Sequence, residues 1–148
     1  RTEPMTRPME VTGPVVLNLA AKSSAEDTDW FVVLMDEGPD GKSRTLTKGW
    51  LRASHREADA ERSKPWQPWH THAREIPLTP NQPETFAIEI MPTCNVFQPG
   101  HRVRLEIASC DSVADNFFWY HAAKAIKARN TVLEGSGGSR LVLPVIPR

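Results

Sequence analysis

Proline sets the first limit on this chain. Thirteen of its 148 residues are proline, and most fall between short runs of alternating apolar and polar side chains. Proline lacks the backbone donor that helices and central strands need, so this density suits short strands joined by fixed turns. Val15, Leu17, Leu19 and Ala21 alternate with Val16, Asn18 and Ala20 after the turn signal Gly13-Pro14. Trp30 to Met35 is apolar on both faces, as in a central strand covered on each side. Pro39-Asp40-Gly41 then predicts a tight turn, with residues 43–55 returning antiparallel. Phe86, Ile88 and Ile90 alternate up to Pro92, and Val103, Leu105 and Ile107 alternate with Arg102, Arg104 and Glu106. Leu141, Leu143 and Val145 close the chain as a last strand, with Val142 and Ile146 on its other face. The period of two predicts an all-β protein. One helix is predicted around Tyr120 to Lys127, and Glu57 to Arg62 has room for a single helical turn.

Charge and length narrow the function classes. Eighteen Lys and Arg balance eighteen Asp and Glu, so the basic excess of a nucleic-acid binder is missing. No apolar run approaches the roughly 20 residues of a membrane span. The length fits one domain, residues 1–148. Arg1 as first residue reads as the start of a processed chain or of a domain cut from a longer protein. Cys94 and Cys110 are set far apart by the strand at 101–109, which predicts two free thiols and a reducing, cytoplasmic compartment.

Several segments resemble the C-terminal domain of the X-Pro dipeptidyl-peptidase and cocaine-esterase hydrolases. Glu10-Val11-Thr12-Gly13-Pro14-Val15 is similar to its opening. Asp27-Thr28-Asp29-Trp30-Phe31-Val32 with Pro39-Asp40-Gly41 looks like its second strand and hairpin, and Gly49 to Arg56 like the strand after. Val96 to Ile107 is similar to its best-defined stretch, and Ser139 to Pro147 to its closing strand. Ser54 to His72 resembles the acyl-esterase branch. The family's Ser-Ser-Asn segment is replaced by Ser109-Cys110-Asp111, and residues 112–129 follow no family pattern. The resemblance implies an antiparallel jelly-roll β-sandwich, galactose-binding-domain-like, with at most one or two short helices. It also implies attachment to an α/β-hydrolase domain and a helical cap, which hold the serine, histidine and aspartate. None of those motif positions exists here, so no catalytic residue is carried over.

The residues agree with a non-catalytic reading. A serine hydrolase elbow needs Gly-x-Ser-x-Gly, and no such string occurs; phosphate-loop and dinucleotide glycine patterns are also missing. No cofactor and no metal are expected. His70-Thr71-His72 is the sharpest chemical motif, since i and i+2 on a strand share a face, and with Glu75 it is a near miss to the metal motif of cupins. A surface or turn pair is the simpler account. Trp66 and Trp69 lie in the proline-rich stretch 56–83, and either cover the sandwich, dock on a neighbouring domain or form a sugar-stacking platform. Phe117, Phe118, Trp119 and Tyr120 form either a short buried helix or a second contact patch. Trp30 and Trp50 read as core or edge packing. Asp27 and Asp29 are half of a calcium site at most, and more simply make turn bonds. The expected partners are thus the hydrolase and cap domains of the same chain, with weak self-association of the isolated domain through its exposed aromatics.

Overall fold

The computed structural model describes residues 1–110, 127–135 and 137–147. Its eight strands are β1 (Met9–Ser23), β2 (Asp29–Glu37), β3 (Ser43–Arg52), β4 (Glu84–Phe97), β5 (Arg102–Ala108), β6 (Asn130–Val132), β7 (Arg140–Val142) and β8 (Val145–Ile146). They form one antiparallel sheet in the order β5-β2-β3-β4-β1-β6, with β7 and β8 also paired to β1. Among the described residues the only helical element is the single 3₁₀ turn Ala53–His55. The predicted helix around Tyr120 lies outside the described residues, apart from Lys127, which is in a turn. The single helical turn expected at Glu57 to Arg62 forms at its end, where Ser63 N–H donates to the Asp59 carbonyl at 2.9 Å, while the start of the segment pairs with residues 69–71 through Asp59 N–H to Trp69 O and Thr71 N–H to Glu57 O.

Alternation places the core. Trp30, Val32 and Leu34 of β2, Leu17 and Leu19 of β1, and Phe86, Ile88 and Ile90 of β4 point to one side and are buried. Trp30 and Phe86 meet with ring centroids 5.5 Å apart, a tilted aromatic pair. The opposite face of β2 (Phe31, Val33, Met35) is only half-buried, so β2 is central by pairing but covered on one side. β3 and β4 are in register at a single pair, Gly49 and Ile90. A side chain at Gly49 would run into the Glu89 carbonyl oxygen and the Ile90 Cα. The two strands touch there and diverge, which lets the sheet curl around its core.

Two prolines predicted as breaks sit inside strands. β1 and β4 pair Gly13 with Thr93 and Val15 with Ile90, so Pro14 faces Met91 and Pro92 in a β-bulge. Neither proline has an N–H to lose, and a bulge is where a ladder tolerates that. Gly13 supplies φ 133°, a region side chains avoid. Pro144 divides the predicted last strand into β7 and β8 beside the same bulge, with Thr12 N–H donating to its carbonyl at 3.0 Å.

The loop after β3 is tied tightly. Asp27 accepts from the Ser54 N–H at 2.8 Å and the Ser54 hydroxyl at 2.9 Å. Asp29 accepts two bonds from the Arg52 guanidinium, at 2.8 and 3.3 Å, which holds that guanidinium above its usual pKa. Both aspartates are therefore structural. Arg56 reaches back to the carbonyls of Ala53 and Ile76. Cys94 and Cys110 are exposed free thiols.

Candidate functional site

The proline-rich stretch lies over the outer side of β4. His70 anchors it: its Nε2 is 2.9 Å from the Ala87 carbonyl oxygen, and since a carbonyl only accepts, that nitrogen carries the proton. Gln67 adds a bond to Glu89 at 3.3 Å. Arg74 and Thr71 both donate to Glu57, at 2.6 and 3.0 Å, and hold that carboxyl below its ordinary value.

The stretch does not present its histidines as a strand pair. His70 makes one isolated bridge with Ala58, and His72 turns away with φ 49°. Their ring centroids are 6.2 Å apart, edge to face. Glu75 is exposed. The fold instead brings a third imidazole, His55, to 5.4 Å from His72. Sequence reasoning missed His55, because only the folded path of the 53–56 loop carries it there. Among the described residues no three His, Cys, Asp or Glu side chains are placed to hold a metal ion.

These rings wall an open cleft of about 500 Å³ between β3, β4 and the proline-rich stretch, lined also by Trp50, Met91 and Pro92. Trp50 is 62% exposed and Met91 58%. Trp30 is core as expected, but Trp50 is not packed: Leu51 takes the inward position and its neighbour is turned out. Trp66 and Trp69 are exposed as well. The Arg62 guanidinium sits 3.8 Å from the Trp69 ring centre, a cation–π contact that covers one face of that ring. Phe117, Phe118, Trp119 and Tyr120 lie outside the described residues.

An all-β domain with an exposed aromatic face and no hydrolase elbow has the character of an accessory module. The chain belongs to the X-Pro dipeptidyl-peptidase C-terminal non-catalytic domain family, whose model matches residues 1–137. It is 38% identical over 108 residues to a cocaine esterase of Rhodococcus sp., covering 73% of this chain and 17% of that protein. A Mycobacterium bovis protein with a serine esterase name is also 38% identical, over 114 residues that make up 74% of this chain and 18% of that protein. The chain thus spans less than a fifth of the curated relatives it matches. The fold is that of part of a CocE/NonD family hydrolase from Staphylococcus aureus, with a TM-score of 0.87 at 24% identity over 97% of this chain and 29% of that one.

Proposed function

We propose that residues 1–148 act as one non-catalytic accessory domain of a larger serine hydrolase that cleaves an ester or X-Pro acyl bond. In this reading the domain braces the catalytic and cap domains and walls part of the substrate cleft. The observation that carries it is the match of about three quarters of this chain to less than a fifth of its relatives, with no nucleophile motif inside the match. Trp66, Trp69 and Phe117 to Tyr120 are the residues assigned to the contact. Trp66 and Trp69 fit because they are exposed and interfaces favour aromatics, and two isolated domains would associate weakly through the same rings.

The test is to compare the 148-residue chain with the longer protein of which it would form part. The isolated chain is expected to show no turnover of a 4-nitrophenyl ester or an X-Pro anilide, and the longer protein to cleave one of them. Trp69→Ala and Trp119→Ala are expected to leave the isolated domain's melting nearly unchanged and to lower that of the longer protein. Acyl turnover by the isolated chain overturns the reading.

A further inference from the structure

We infer that the groove between residues 5–9 and β8 binds the chain of one free fatty acid, with the Arg7 guanidinium holding its carboxylate. Every residue the site needs lies in this chain, so it stands or falls apart from the accessory-domain reading.

Both walls are fixed by backbone bonds. Met5 N–H donates to the His101 carbonyl at 2.7 Å and Gly100 N–H to the Met5 carbonyl at 2.8 Å, which ties the first wall to the turn before β5. The second wall is β8, with Val145 paired to Val11 and Ile146 to Glu10 of β1. Thr12 N–H holds the Pro144 carbonyl just before it. Successive side chains of a strand point to opposite faces, yet Val145 and Ile146 are 49% and 41% exposed. Neither face of β8 is closed. Between the walls lies a groove of about 340 Å³, lined by Met5, Pro8, Met9, Val145, Ile146 and Pro147. Met5 and Met9 also pack against the core, so the groove is anchored before any ligand arrives.

Size and charge choose the occupant. A standard protein interface buries about 800 Å² on each partner, whereas this groove is a few side chains wide. Its volume falls instead at the lower end of small-molecule pockets, about 300–1,000 Å³. A methylene group is close in size to a water molecule, whose share of the liquid is about 30 Å³, so the groove takes a chain of roughly ten carbons. The polar side chains at the groove are Thr6 and Arg7. Arg7 is exposed and pairs with no carboxylate among the described residues. Arg1 and Arg104 pair with Glu37, and Arg102 with Glu3. Glu10, opposite Ile146, already accepts from the Thr12 hydroxyl at 3.2 Å. An apolar channel with one unpaired guanidinium calls for a ligand with one apolar tail and one anionic end. The guanidinium fork meets both oxygens of a carboxylate with parallel bonds. An alcohol of the same length brings no charge to that fork, and a bilayer lipid brings two tails where there is room for one.

Photo-crosslinking of the full-length protein with decanoate carrying a terminal diazirine, followed by peptide mapping, locates the ligand without any turnover. A free acid offers a hydrolase no acyl bond to cleave. Label is expected on residues 5–9 and 145–147, displaced by unlabelled decanoate below its micellar range. Octanoate is expected to need roughly tenfold more, since each methylene fully withdrawn from water is worth about fourfold in affinity. Decanol is expected to need at least roughly tenfold more, for want of a charge-assisted bond. Arg7→Gln is expected to lower labelling of the groove at least roughly fivefold with Tm unchanged, since Arg7 is exposed, and Arg7→Lys to retain part of it. Label confined to other residues overturns the site. Equal displacement by decanol and decanoate, or undiminished labelling of Arg7→Gln, overturns the carboxylate assignment. None of these outcomes bears on the accessory-domain reading, which the turnover comparison decides.

Discussion

Gly49→Ala tests the account of how the sheet curls. Gly49 sits where β3 and β4 make their one register pair, and an added Cβ would collide with backbone atoms of Glu89 and Ile90. Backbone in a paired strand cannot step aside as a flexible side chain can, so the strands must separate at the point that joins the two halves of the sheet. Overpacking into a side-chain core costs about 1–3 kcal/mol, and a clash with backbone belongs at or above the top of that range. About 3 kcal/mol corresponds to a fall in Tm of roughly 6–12 °C for a chain of this size. Gly41→Ala is the control. Gly41 has φ 78° with nothing within 4 Å of an added Cβ. Its left-handed strain of about 1–2 kcal/mol is offset in part by about 0.4–1 kcal/mol of lost unfolded-state entropy. Urea unfolding of the wild type and both variants reads the difference. If Gly49→Ala is no more damaging than Gly41→Ala, the close crossing of β3 and β4 is not what shapes the sheet.

Phe86→Ala removes a fully buried ring that meets Trp30 and is expected to cost about 3–5 kcal/mol by chemical denaturation. Asp27→Ala takes away the acceptor for both the Ser54 N–H and its hydroxyl, with an expected loss of about 1–3 kcal/mol and faster amide exchange at Ser54. Burial raises the Glu37 carboxyl, but Arg1 and Arg104 outweigh it and the net pKa lies below the ordinary 4.5. Because the folded value is the lower one, this contribution is full above about pH 4.5 and is lost as the pH falls through the lowered value. Wild type is therefore expected to exceed Glu37→Gln in urea midpoint near neutrality, with the gap closing in acid; a gap that widens in acid refutes the sign.

The strands were legible where side chains alternate. Phe86-Ile88-Ile90 and Val103-Leu105 carry the period of two that one buried face imposes, and the structure pairs them as the pattern requires, whereas Trp30 to Met35, apolar on both faces and expected to be covered on each side, fully buries only one. Gly13-Pro14 and Pro92 misled because a proline in a turn and a proline in a bulge look alike locally; only the partner strand's own proline tells them apart. Trp50 could have been placed, since it alternates with Leu51 and one of the two must face out. Nothing in the spacing pointed to His55, fifteen positions before His70, because the turn that delivers it is fixed by Asp27, an element away. The resemblance stated from short segments supplied what the pattern could not, namely the family and the expectation of a missing nucleophile.

The first eight residues form no strand, yet they guard one. β5 is the outer strand of the sheet, and its free side is met by Thr2 N–H bonded to the Val103 carbonyl at 3.0 Å and by Met5 N–H bonded to that of His101 at 2.7 Å. The Thr2 hydroxyl accepts from the Val103 N–H, and Arg102 donates to the Thr2 carbonyl. An uncovered edge is a template for another chain. A truncation that begins at Met9, where regular structure starts, would keep every described strand and every fully buried core side chain, losing only Met5 from the core's margin, and still leave a sticky molecule. For this fold the boundary of solubility lies upstream of the boundary of secondary structure.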